Sequence, residues 1–493
     1  MMVFRKRGGG LGLERKMTPI GLVAFLVFLA VGSANAVPAV MGDWSHNSGH
    51  RNLIERRLEN LKASLAAGPA SSPGSSPKVS TEASNSRVYH VTSYGADATG
   101  STDSTDAINK AISDAFKAPS DRILMAGIAD LGGAEVHLDG GTYLISSPLT
   151  LPSSGGGNFR ITGGSLLASD DFPTDRYLIE LNSNSSSSSF LFEYITLKDL
   201  LLDSNYRGGG IAVVNSIRTT IDNCYIVHFM SDGIKVQGGH ETYIRNCFLG
   251  QHITSGDDPG ERNFTGTGIN LMGPDNAVTD TVIFSAATGI MVTGQANTIS
   301  GVHCYNKATG FGGVGIHLKT PGLIQTRIIN CYMDYTSIVS EDPVLLHISG
   351  CYFLADANVV LRSVKGVIKA VNIVDNIFSG QNGGVDIVQL DESAGKFTTV
   401  DQVIVQGNVA QRMVLKSTSA ISSVEGNGTT TWTVDFSSML LFPDRIGHVQ
   451  YSFHADSSFP SHALRNTTGN QVTIVSDIPV SAKVHVAVDQ NGG

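Results

Sequence analysis

The sequence predicts an all-β fold, a single-stranded right-handed parallel β-helix, and three observations carry that prediction. One phrase returns between residues 208 and 354: Gly210-Ile211, Gly233-Ile234, Gly268-Ile269, Gly289-Ile290 and Gly315-Ile316, each continued by alternating residues. The isoleucines are 23, 35, 21 and 26 residues apart. A second phrase runs between them: Ile221-Asp-Asn-Cys224, Ile244-Arg-Asn-Cys247, Val278-Thr-Asp-Thr281, Ile328-Ile-Asn-Cys331 and Ile348-Ser-Gly-Cys351. Interleaved phrases at such a period mark one supersecondary unit per repeat. Finally, each phrase is short, alternates apolar with polar residues and is rich in Ile and Val, which is the pattern of a strand. A unit of two or three such strands cannot bury its apolar face alone, whereas a stack of units buries one continuous core. An antiparallel sandwich also has short strands, but gives no reason for the same residue types to recur at the same place.

Composition agrees with a solenoid. The chain has 493 residues, 55 of them glycine, and only 16% charged residues, which suits tight turns around a wide apolar interior. Net charge is −9; residues 1–36 contribute +4, so the remainder stands at −13. An acidic chain is a poor general binder of nucleic acid or anionic membrane, so a polyanionic ligand needs a local basic patch.

The N-terminus reads as a secretory signal, residues 1–36: a basic start, an apolar run from Ile20 to Val31, then Ala34-Asn35-Ala36 as cleavage site. The run is too short for a membrane anchor. A secreted, extracellular protein without membrane attachment after signal removal is therefore expected, and a monomer. Residues 37–86 are expected to form a helical arm, amphipathic from His50 to Ala67 through Leu53, Ile54, Leu58, Leu61 and Leu65, followed by a Ser/Pro/Gly linker.

The folded domain is expected over 87–424. Val88–Thr92 reads as a strand and Tyr94–Asp97 as a turn. Asp103 or Ser104 caps a helix running to about Lys117, with Ala107, Ile108, Ala111, Ile112 and Ala115 on one face. Gly132-Gly133-Ala-Glu-Val then leads to Gly140-Gly141-Thr-Tyr. Weaker coils are expected after 354, and from 425 to 493 the Gly-Ile phrase gives way to alternating strands at Thr429–Phe436, Gly447–His454, Gln471–Val475 and Lys483–Val488. These form a small C-terminal β appendage.

Four of the five cysteines share one slot of the repeat, and Cys304 lies two residues from it. Disulfides between coils are one reading; the odd count and the shared slot favour a ladder of buried thiols. No Cys/His spacing suggests zinc. Four Asn-x-Ser/Thr sequons, at Asn184, Asn263, Asn427 and Asn466, are candidate glycan sites in a secreted chain.

Outward residues of the Gly-Ile strands are Lys235, Gln237, Asn270, Met272, Met291, Thr293, His317 and Lys319. Two lysines and a histidine on one face of an acidic protein suit a groove for a polymer that carries carboxylates.

The Tyr-Gly-Ala-Asp turn, the Thr102-Asp-Ser-Thr-Asp-Ala-Ile108 helix start and the Gly-Gly-Ala-Glu-Val and Gly-Gly-Thr-Tyr strings resemble the entrance to the pectin-lyase-like β-helix superfamily. In that family the helix caps the open end of the solenoid, which otherwise presents apolar surface and an unpaired strand edge. The whole chain is similar to the Quartet-type plant polygalacturonases, which act on pectin around developing pollen.

That resemblance implies site residues. Met230-Ser231-Asp232-Gly233-Ile234 resembles the family's Asn-Thr-Asp-Gly-Ile motif, with Asp232 in the place of the catalytic Asp. Ser255-Gly256-Asp257-Asp258 resembles Thr-Gly-Asp-Asp, with Glu261 as a reserve carboxylate, and Ile316-His317-Leu318-Lys319 resembles a motif whose Lys is matched by Lys319. The Gly-His-Gly motif is absent. The implied reaction is inverting hydrolysis of a pectic polysaccharide by two carboxylates about 6.5–9.5 Å apart. Asp232, Asp257 and Asp258 are the catalytic candidates; Lys319, His317, Lys235 and Asn270 are the substrate-binding ones. No cofactor or metal is expected. A lyase would need an outward arginine as base, and none is evident. Because most motifs are altered, a pectin-binding β-helix without turnover is the other reading.

Overall fold

The computed structural model describes residues 87–491 apart from 118, 126, 182–189, 253–262, 307–311, 320, 323 and 457–458. Its described strands form sheets of 23, ten and four strands. The first two wind together as a right-handed parallel β-helix, each coil giving two short strands to the large sheet and one to the ten-stranded sheet.

Register shows why the Gly-Ile phrase repeats. Ile179, Ile211, Ile234, Ile269, Ile290, Ile316, Ile338, Val359 and Val388 are paired residue to residue down the ten-stranded sheet, and all are fully buried. The column therefore extends beyond the five phrases legible in the sequence. The preceding glycines are required by contact. A Cβ on Gly268 would lie 2.7 Å from the carbonyl oxygen of Gly289, and one on Gly289 would lie 2.4 Å from that of Gly315.

The second phrase is a corner. Its third residue is left-handed in every coil: Asn223 at φ 52, Asn246 at 54, Asp280 at 48, Asn330 at 54 and Gly350 at 64. Asn, Asp and Gly are the residues that tolerate this conformation. The corner splits two strands, such as Thr220–Asp222 and Tyr225–Val227. Asn330→Val is expected to lower unfolding free energy by about 1–2 kcal/mol, with Asn330→Gly near neutral; chemical denaturation of the two variants checks this.

The next position is the cysteine slot. All five cysteines are buried and free. The strands beside Cys224 and Cys247 are paired in register, as are those beside Cys331 and Cys351. Later coils place Asn376 there, which accepts the backbone N–H of Cys351 at 2.9 Å.

The Thr105–Phe116 helix closes the N-terminal end, with Ile108, Ala111, Ile112 and Ala115 fully buried. Ser104 is its N-cap residue, but the side chain that takes the Thr105 N–H is Asp103, at 3.0 Å. Phe116 packs edge-on against Phe159, 5.0 Å between centroids.

The C-terminal sheet is antiparallel and begins at Ser419 rather than 425. Gln471–Asp489 is one continuous strand where two were expected, and His462–Asn466 supplies the fourth. The ladder of Gln471–Asp489 with Ser419–Asp435 shifts register between Val475 and Val480, so Ser476–Pro479 fall in an irregularity of the pairing rather than a break in the strand. The sheet has its own core around Trp432, Phe436, Ile474 and Val486, while Leu441 and Phe442 join the solenoid core. Among the described residues no helix is long and apolar enough to cross a membrane.

Candidate active site

The outward face of the ten-stranded sheet gathers the expected residues in columns. Lys235, Asn270, Met291 and His317 are successive partners in one column. Such neighbours stand about 4.8 Å apart. Lys319 lies two residues beyond His317 in the next column and is exposed.

Asp232 opens the Asp232–Gln237 strand at the edge of this face and is half-buried. Its Oδ2 accepts the Tyr177 hydroxyl at 2.8 Å, and its Oδ1 accepts Asn270 Nδ2 at 3.4 Å. Burial pushes its carboxyl above the ordinary value; the Tyr177 and Asn270 hydrogen bonds and the nearby Lys235 oppose that without cancelling it. Burial and the neighbouring Asp232 also push the Tyr177 hydroxyl upward, so it remains a donor.

Tyr177 was not legible as a site residue. It lies two coils before Asp232, and its ring reaches across because the intervening position is Gly209, where a Cβ would meet Tyr177 Cδ1 at 2.4 Å. The following Glu180 is buried and clamped by Arg176 through two hydrogen bonds, at 2.9 and 2.7 Å.

Asp257, Asp258 and Glu261 lie outside the described residues. The residue in register with Asp232 on the next coil is Thr267, so the expected acidic motif does not occupy that strand position. The described residues flanking the connection that carries it are tied to each other and to the preceding coil. The Gln251 side chain accepts the Thr265 N–H at 2.7 Å, and Thr267 N–H bonds the Ser231 carbonyl at 2.8 Å.

His317 is not a free cation. Its Nε2 lies 3.1 Å from Glu341 Oε1, and burial pulls its pKa down against the pull of that carboxylate. The expected lack of an outward arginine is also corrected. Glu341, Arg362 and Asp391 are successive partners down one column, and Lys319 follows Leu318, which pairs with the residue before Glu341. Arg362 Nε bonds Asp391 Oδ2 at 2.8 Å, and its NH1 lies 3.7 Å from Glu341. Glu341 and Arg362 fall after residue 336, where the Gly-Ile phrase is lost, so no sequence pattern marked them.

Three comparisons bear on this geometry. The family described as "Rhamnogalacturonase A/epimerase, pectate lyase-like" matches residues 88–312. The chain is 56% identical over 482 residues to "Polygalacturonase QRT3" of Arabidopsis thaliana, spanning 97% of this chain and all of that one. The chain belongs to the pectin-lyase-like superfamily, with the Quartet-type plant polygalacturonases. For this polygalacturonase-family chain, of glycoside hydrolase kind, solved structures give likeness of fold. The Geobacillus virus E2 ORF18 protein aligns with a TM-score of 0.50 and 11% identity over 88% of this chain and 80% of that one. The endo-xylogalacturonan hydrolase of Aspergillus tubingensis aligns with a TM-score of 0.43 and 14% identity over 67% and 95%.

Proposed function

We propose that the chain is a secreted polygalacturonase that hydrolyses α-1,4-galacturonosyl linkages of cell-wall pectin with inversion, and that it acts in separating pollen tetrads. The observation that carries this reading is Asp232, a half-buried carboxyl with a raised pKa beside Lys235 on the long face of the solenoid. A carboxylic acid that keeps its proton can give it to the leaving glycosidic oxygen. Asp257 or Asp258 is the carboxylate that activates water from the opposite side of the ring. Lys235 and Lys319 pair with uronate carboxylates, and Asn270 and His317 orient the sugar. Asn270 Oδ1 is buried and has no hydrogen-bond partner among the described residues, which suits a hydroxyl donor from substrate. The sequons Asn263, Asn427 and Asn466 are exposed and Asn184 lies outside the described residues; all four are proposed glycan sites.

The test is purified protein with polygalacturonate. Release of reducing ends is expected, without the ultraviolet absorbance of the unsaturated product a lyase makes. Lys319→Gln is expected to raise KM several-fold with kcat little changed, because an ion pair to a uronate carboxylate acts in substrate and transition state alike. One observation favours a second reading. Thr267 stands where a carboxylate would complete the strand-borne acidic pair, so a pectin-binding β-helix without turnover is the alternative. Oligogalacturonate binding with no product from well-folded protein would select it.

A further inference from the structure

The first coil carries a group of donor atoms that the proposed hydrolysis does not use. His90 and His137 are the last residues of two neighbouring parallel strands and are directly paired. Paired residues of a parallel ladder project from the same face about 4.8 Å apart. Asp139 follows at φ 53, a left-handed turn, and its carboxylate reaches the Nδ1 atoms of both rings. One oxygen, Oδ1, lies 2.5 Å from His90 Nδ1 and 3.0 Å from His137 Nδ1. The other oxygen, Oδ2, is held by the Thr92 backbone N–H at 3.3 Å and the Thr92 hydroxyl at 2.7 Å. Those two bonds fix the carboxylate and leave Oδ1 aimed between the imidazoles.

The Asp139 N–H donates to His137 Nδ1 at 3.1 Å, a bond that an ion on that nitrogen would replace. Two imidazole nitrogens thus converge within hydrogen-bond distance of one carboxylate oxygen. The three donor atoms all lie within 4.8 Å of one another. A four-coordinate zinc ion with bonds of about 2.0–2.2 Å needs its donors roughly 3.3 Å apart, so small side-chain rotations suffice.

We propose that His90, His137 and Asp139 bind one divalent transition-metal ion of the zinc type. Two imidazoles and one carboxylate suit Zn²⁺, Ni²⁺ or Cu²⁺, whereas Ca²⁺ and Mg²⁺ require oxygen donors. Thr92 plays the supporting part, orienting a ligand through its second oxygen. The side chains of His90, His137 and Asp139 are 52%, 36% and 19% exposed, so water can complete the coordination. The ion ties the Val88–His90 strand to the Asp130–His137 strand at the capped end of the stack. These strands belong to the large sheet, whereas Asp232 lies on the ten-stranded one, so the site does not depend on the hydrolytic reading. Forty-nine residues separate His90 from Asp139, which is why no spacing motif announces the site.

The experiment uses the full chain, stripped with chelator and titrated calorimetrically with Zn²⁺ and, separately, with Ca²⁺. One equivalent of Zn²⁺ is expected to bind and to raise the thermal midpoint, because a ligand that binds only the folded chain stabilises it; Ca²⁺ should do neither. His90→Gln and His137→Gln should each weaken Zn²⁺ binding at least tenfold, and Thr92→Val by about 10-fold through loss of the hydroxyl's bond to Asp139. Reducing-end release should be unchanged in His90→Gln. Should a variant fold poorly, Co²⁺ added to the wild type gives a second measurement, since visible ligand-field bands are expected from this donor set. Absence of those bands, or an unchanged Zn²⁺ isotherm in the His90→Gln/His137→Gln double variant, would overturn the proposal and leave a proton-bridged cluster.

Discussion

Asp232→Asn is expected to lower reducing-end release from polygalacturonate by about 10²–10⁴-fold, the usual contribution of a positioned general acid. Loss should fall on kcat rather than KM, because proton donation is made only in the transition state. The pH dependence has a definite sign. Asp232 has its carboxyl raised by burial above the ordinary value of 3.8. Activity that needs its proton is therefore present at low pH and falls as pH rises through that raised value. Stability follows the same direction. The neutral carboxyl is the form the fold prefers, so its contribution is full below the ordinary value and is lost as pH climbs through the folded one. Above that window Asp232→Asn should melt at or above the wild-type temperature while being nearly inactive. Tyr177→Phe removes a donor that favours the charged form, so the falling limb of its rate profile should move to higher pH. Wild-type turnover in Asp232→Asn, or an unmoved limb in Tyr177→Phe, would remove Asp232 from the role of acid.

The largest loss of stability is expected from Ile290→Ala. Ile290 sits between Ile269 and Ile316 in the central column and is fully buried. Truncation there removes apolar contact and leaves a cavity that stacked coils cannot close, at a cost of about 2–5 kcal/mol. Met291→Ala, one residue on and facing outward, should stay within about 0.5 kcal/mol, as surface changes usually do. Denaturant midpoints for the pair measure the difference, and equal losses would contradict the register that places one side chain inside and its neighbour outside.

The parts of the fold that were legible are those in which one physical demand repeats. Burying an isoleucine and packing a glycine against the next coil are requirements that every coil meets in the same way, so they print a period in the sequence. The corner was legible as a phrase but not as a turn, because Asn223 and Asn330 look polar before their positive φ is known. The cap helix was readable from its apolar face. The continuous Gln471–Asp489 strand was not, because Ile478-Pro479 looks like a break when its antiparallel partners are unknown.

At the site, sequence placed Lys235, Asn270 and His317 on one outward column because alternation along a strand is a local property. It could not pair His317 with Glu341, or Arg362 with Asp391, since those partners come from later coils with no shared motif. Nor could it find Tyr177, whose reach to Asp232 depends on a glycine in the coil between them.

What the sequence determined by itself was the stack: alternation within a strand and recurrence between strands are carried by nearest neighbours along the chain and fold locally into coils. What only the tertiary structure decided was which side chains meet across coils, and therefore the protonation bias of Asp232 and the ion pairing of Arg362 with Glu341 and Asp391. Those depend on side chains brought within hydrogen-bond reach by register, from positions tens of residues apart, where local pattern holds no information.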